Sequence, residues 1–154
     1  MTVDTWEVAV DQVLDHETKW GITKRDRPDL DIPSLTRAQA KDIFRRDWWD
    51  RYGFYRIEHD AVAIKLFDMA VNMGAATAIR LIQQVVNYLT PRRTEIQEDG
   101  MLGPETLRTI NAADPEILVL ALRAYAAKRC IELVEGPDPR FETFDKRGLK
   151  RALG

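Results

Sequence analysis

Apolar positions recur at helical spacing almost from the start of the chain. Val3, Trp6, Val10, Val13 and Leu14 fall on one side of a helix expected to end near His16 or Glu17. A loop with Gly21, Pro28 and Pro33 follows. Thr36 and Gln39 then have the form of a capping box, so a helix is expected from Arg37 to Trp49. Its inner side takes Ala40, Ile43, Phe44 and Trp48, with Trp49 half-buried. Gly53 interrupts the pattern. Asp60 suits the N-cap of the most apolar helix, Ala61 to Met73, and Gly74 is its stop. The next helix spans Ala75 to Tyr88 and buries Ile79, Ile82, Val85, Val86 and Leu89. Thr90 to Gly103 is polar and turn-rich. Pro104, tolerated in a first turn, opens a short helix. Asp114-Pro115 repeats that signal and opens a long helix to about Val134, closed by Gly136 and Pro137. Phe141, Phe144 and Leu149 suggest a last amphipathic helix. No run alternates as a half-buried strand does. The expected fold is all-α, with about six to seven helices.

Composition narrows the class. The 154 residues are 45% apolar and 31% charged, an ordinary globular balance able to support a core. A net charge of −2 gives no clustered basic excess of the kind that binds phosphate backbones, so no nucleic-acid partner is expected. The short basic runs Lys24-Arg25, Arg92-Arg93 and Lys146-Arg147…Lys150-Arg151 read as solvated faces. Cys130 is the single cysteine, His16 and His59 lie far apart, and no HExxH occurs, so neither a metal nor a cofactor is implied. No segment reaches the ~20 apolar residues that span a bilayer, and stable membrane insertion is not expected. Met1 to Glu7 lacks a basic region and an apolar core of signal-peptide length. The expectation is synthesis in the cytoplasm without a signal peptide. A target outside the membrane then needs another carrier.

Candidate chemistry concentrates in two places. Asp68 and Asn72 are four residues apart on one face of the apolar Ala61–Met73 helix, and Lys65 joins them. Ile64, Phe67, Ala70 and Val71 form the opposite, core side. Such a polar pair should face solvent, a partner or a cleft, because burying it unbonded costs free energy. The plainer reading is that it braces neighbouring loops. Glu17, at the close of the first helix and flanked by Trp20, is a candidate for the acid that protonates a glycosidic leaving group. Partial desolvation beside the indole would raise its pKa and keep it protonated for that role. The plainer reading is an exposed charge at a helix end. Asp26, Asp29, Asp31 and Asp68 are candidates for the second carboxylate, with no spacing that selects one. Trp20, Trp48, Trp49 and Tyr52 offer flat apolar faces for sugar rings. Ser34 is the only serine and has no Gly-x-Ser-x-Gly elbow, which removes a serine-hydrolase reading. Cys130 within the long helix reads as a small packing group.

The ordered series His16-Glu17, Thr18-Lys19-Trp20-Gly21-Ile22-Thr23, Arg45-Arg46-Asp47-Trp48-Trp49 and Phe67-Asp68-Met69-Ala70-Val71-Asn72-Met73-Gly74 resembles glycoside hydrolase family 108. These are lysozyme-like N-acetylmuramidases of phage endolysins and secretion activator proteins. The stretches Ala78 to Gln84 and Asp99 to Leu107 resemble the small peptidoglycan-binding segment that follows in such proteins. The resemblance runs from about Trp6 to Val134. It implies a lysozyme-like helical fold, with a catalytic-type region over 1–74 and a peptidoglycan-binding-type segment over 75–154 packed on it as one unit. It also implies cleavage of the β-1,4 bond between N-acetylmuramic acid and N-acetylglucosamine in peptidoglycan strands. Action in the periplasm or cell wall follows, with a holin as one route of release. In that reading Glu17 is the general acid, Trp20 and Thr23 line the cleft, and Asp68 and Asn72 position substrate or water.

The family's Glu-Gly-Gly-Tyr motif is not intact, since Thr18 follows Glu17 directly. Three readings stay open. Glu17 is the catalytic acid with its loop removed, or it is the residue that ordinarily precedes the Thr-Lys-Trp run. Alternatively a mobile loop separates Glu17 from Thr18.

Overall fold

The computed structural model describes residues 3–16, 22, 27–89 and 95–135. Among them are six α-helices and no strand: α1 Val3–His16, α2 Arg37–Phe44, α3 Asp60–Met73, α4 Ala75–Leu89, α5 Pro104–Ala112 and α6 Pro115–Glu135. The all-α expectation holds. Gly136, Pro137 and the expected last helix around Phe141, Phe144 and Leu149 lie outside the described residues.

α3 is the central element, packed on α1, α4 and α6. Val62, Ala63, Leu66, Phe67, Met69 and Ala70 are all buried along it, so it is enclosed on most sides rather than on one. Ile64 and Val71, expected in the core, are half-buried at its margin. Its N-cap is His59, which makes no side-chain cap bond. Asp60 is instead the first helical residue. There its carboxylate still meets the positive end of the helix dipole, which explains an acid at that position without a cap. Gly74 stops the helix at φ 92°, a conformation favouring glycine.

The start of α2 follows the sequence closely. Thr36 Oγ1 accepts from the Gln39 backbone N–H at 3.2 Å, and Gln39 Oε1 accepts from the Thr36 backbone N–H at 2.9 Å. Its end does not follow. From Arg45 to Asp50 the backbone is π-helical. A π turn closes i→i+5 rather than i→i+4, so side chains beyond Phe44 swing round relative to an α pattern. Trp49, five residues after Phe44, goes into the core at 1% exposure, and Trp48 is left half-buried outside. The expected order of the two tryptophans is reversed. Trp49 meets Phe67 at a 5.4 Å centroid separation, Trp6 at 5.5 Å and Phe54 at 6.1 Å, joining α1, α3 and the π turn in one aromatic cluster.

α1 and α2 are also tied by charge. Lys41 Nζ lies 2.6 Å from Glu7 and 3.0 Å from Asp11, and Arg37 lies 2.9 Å from Asp11. Hydrogen bonds from Arg37 and then Lys41 hold the Asp11 carboxyl below the usual carboxylate range.

In the second half, α4 clasps the segment that follows it. The Gln83 side chain, fully buried, donates to Asp99 Oδ1 and Met101 O and accepts from the Gly100 N–H at 2.9 Å. Asn87 pairs reciprocally with the Ile96 backbone. Gly100 has φ 77°, and a Cβ there would stand 2.9 Å from the Ala76 carbonyl oxygen, so side-chain bulk is excluded. Leu89, expected in the core, is 44% exposed at the last position of α4. Arg56 donates to Leu102 O at 2.9 Å, and Asn111 bonds the backbone of Arg56 and Glu58, so the two halves are stitched together.

Candidate functional site

Three expected site residues, Glu17, Trp20 and Thr23, lie outside the described residues, as does Asp26. The structure does fix what flanks them. α1 ends at His16, Ile22 is seated in the core at 8% exposure, and Arg27 is tied to the π turn. Glu17 and Thr18 are adjacent in the full sequence, so a separate mobile loop between them does not exist.

On α3, Lys65, Asp68 and Asn72 share one stripe, as their spacing requires. Asp68 and Lys65 are 5% and 6% exposed, and Lys65 Nζ lies 3.7 Å from Asp68 Oδ2. Asp68 therefore does not face solvent: a buried carboxylate is tolerated here because an ammonium is buried with it. Only Asn72 reaches the surface, and its side-chain amide donates to the Asp68 backbone carbonyl at 3.1 Å.

The described candidates for a second carboxylate are already engaged. Asp29 takes two bonds from Arg27, at 3.0 and 2.8 Å. Asp31 accepts from the Ser34 hydroxyl at 2.8 Å, which also accounts for that serine.

An ionic junction is the feature that spacing did not reveal. Arg27 bonds Asp29 and, across twenty residues, Asp47 at 2.7 Å, while Arg46 Nε holds the other oxygen of Asp47 at 2.7 Å. Asp47 is pushed below the usual carboxylate range, first by the hydrogen bond from Arg46 and then by the charges of Arg46 and Arg27. Arg27 is held more firmly protonated than usual, chiefly by Asp29. This junction pins residues 27–31 to the π turn. The one available signal was Asp47 itself, an acid set between arginines and tryptophans. Beside it, the Arg45 guanidinium sits 5.1 Å from the Trp6 ring centroid and bonds Asp50.

The stretch from α1 to the end of α3 is also where a comparison with known proteins finds its match. Residues 10–74 fit the family model described as Glycosyl hydrolase 108. Over that stretch the chain is similar to glycosyl hydrolase family 108. No curated protein matches the chain. The family 108 region begins inside α1 and stops at Gly74, so it takes in Glu17, Trp20, Thr23, the Asp47 junction, Asp68 and Asn72. At the coarse level this makes the region a glycoside hydrolase type, with a glycan as its class of substrate. Among the described residues no cluster of three or more His, Cys, Asp or Glu side chains could hold a metal ion. No helix among them is long and apolar enough to cross a membrane.

Proposed function

We propose that the chain is a peptidoglycan hydrolase of the endolysin type, an N-acetylmuramidase that cleaves the β-1,4 bond between N-acetylmuramic acid and N-acetylglucosamine. Glu17, next in sequence after α1, is the general acid, and Trp20 and Thr23 line the cleft. Asn72 is the substrate-facing member of the α3 stripe, and Asp68, buried against Lys65, positions it through the bond from the Asn72 amide to the Asp68 carbonyl. Residues 75–154 are the wall-binding segment. The protein acts in the periplasm or cell wall, with holin-dependent release. The observation that supports this reading is the family 108 match over 10–74, which contains the acid that directly follows the opening helix. A general acid works by being held near the leaving oxygen, and in sequence Glu17 falls between the end of α1 at His16 and the buried Ile22.

Purified protein is expected to clear suspended cell walls and release new reducing ends, and Glu17→Gln to abolish both, with a loss of about a hundredfold or more. Equal turnover by the variant would remove Glu17 from the mechanism. A second reading rests on the residue after Glu17: with Thr18 in place of the Gly-Gly-Tyr loop, the protein is a wall-binding protein that has lost the reaction. It requires binding to sacculi with no reducing ends released by the unmodified protein.

A further inference from the structure

The π turn has a second consequence on its outer side. With Phe44 and Trp49 taking the inward positions, Trp48 and Tyr52 are left half-buried outside, their ring centroids 6.0 Å apart and their planes inclined at 51°. Trp48 rests on the core beneath it. Among the described residues neither the Trp48 indole N–H nor the Tyr52 hydroxyl has a hydrogen-bond partner, and neither is sealed from solvent. Arg51, exposed between them in sequence, holds its guanidinium 5.6 Å from the Tyr52 ring centroid. Arg51 pairs with no carboxylate among the described residues, whereas Arg45 holds Asp50 and Arg46 holds Asp47.

We propose that Trp48, Tyr52 and Arg51 form a binding site for a peptide-bearing amino-sugar strand. The inference rests on the reading of peptidoglycan as the substrate. A pyranose ring presents a C–H face that packs on an aromatic ring, and a rim of hydroxyl and acetamido groups. The indole N–H and the phenol offer that rim hydrogen bonds at the edge of the same aromatic pair. Arg51, already above a ring, is placed for a stem-peptide carboxylate. The site holds the strand beside the π turn, which the Arg27–Asp47 bond ties to Arg27.

Cosedimentation with purified sacculi, intact or stripped of stem peptides by an amidase, tests it, using Glu17→Gln protein so that the wall is not consumed. Trp48→Ala and Tyr52→Leu are each expected to weaken binding about tenfold on both preparations. Arg51→Gln should weaken it about threefold on intact sacculi alone. Far-UV circular dichroism checks the fold, and Tyr52→Leu with Arg51→Gln carries the test should Trp48→Ala not fold. Unchanged binding by folded variants overturns the site, as does absence of binding by the parent protein. Reducing-end release by the unmodified protein is read in parallel. Binding lost in the variants without any release supports this site and removes the hydrolase reading, while release with unchanged binding does the reverse.

Discussion

Asp47 stands between two guanidiniums, Arg46 donating to both carboxylate oxygens and Arg27 to Oδ2. Its folded pKa lies below the unfolded value, so the stabilisation it gives is fully present above the unfolded carboxylate value of ~3.9. That contribution is lost as pH falls through the depressed folded value. Asp47→Asn is expected to lower stability by roughly 1 kcal/mol at neutral pH, a modest figure because Arg46 is largely exposed. Urea midpoints measured down the acid range should converge for the two proteins. A gap that persists unchanged in acid would assign the effect to packing instead of charge. This junction was not legible in the sequence, because Arg27 and Asp47 are twenty residues apart with no shared periodicity. Asp68 was legible as to place but not as to surroundings. Helical spacing puts it beside Lys65 and Asn72, yet spacing says nothing of what packs over a stripe, and the structure buries two of the three.

At the scale of the element, the π turn accounts for most of the difference between pattern and structure. Apolar periodicity located α1, α3 and α4 well, since each follows an unbroken α repeat. It failed at Trp48 and Trp49 because the repeat changes from four to five at Phe44. The change matters for function, since it decides which indole belongs to the core and which to the surface. Trp49→Ala should cost roughly 3–5 kcal/mol, the usual range for emptying a fully buried indole. Trp48→Ala should cost well under half of that, because its ring is already partly in water. Paired thermal melts decide the point, and equal losses would place both rings in the core. Cap residues show a smaller version of the same limit. The Thr36–Gln39 box was readable because both partners are local. Asp60 was misassigned by one position, because His59 takes the extended backbone of the cap without a side-chain bond.

At the scale of the whole molecule, the family 108 region ends at Gly74, but the packing does not. α3 closes that region and is enclosed on other sides by α4 and α6, which come after it. Arg56 and Asn111 add polar bonds across the same boundary. A chain cut after residue 74 would expose the apolar surface of α3 that α4 and α6 cover. Chains of ~60 residues bury only about 60% of the surface they expose when unfolded and are marginal even when well packed. No disulfide can compensate, as the one cysteine lies at position 130. The fragment 1–74 is therefore expected to melt without a sharp transition and to show less helix by far-UV circular dichroism than its share of the full chain. The full chain is expected to unfold in one step, with near-UV and far-UV signals coincident. A fragment that melts sharply and keeps its helices would mean that α1 to α3 close their own core, and that the residues after Gly74 are an addition to a finished unit. Failure of the fragment alone would give the second half a part in the proposed reaction that no sequence motif conveys. By holding α3 on its far side, α4 and α6 would fix Asp68 and Asn72 relative to the end of α1, where the proposed acid follows.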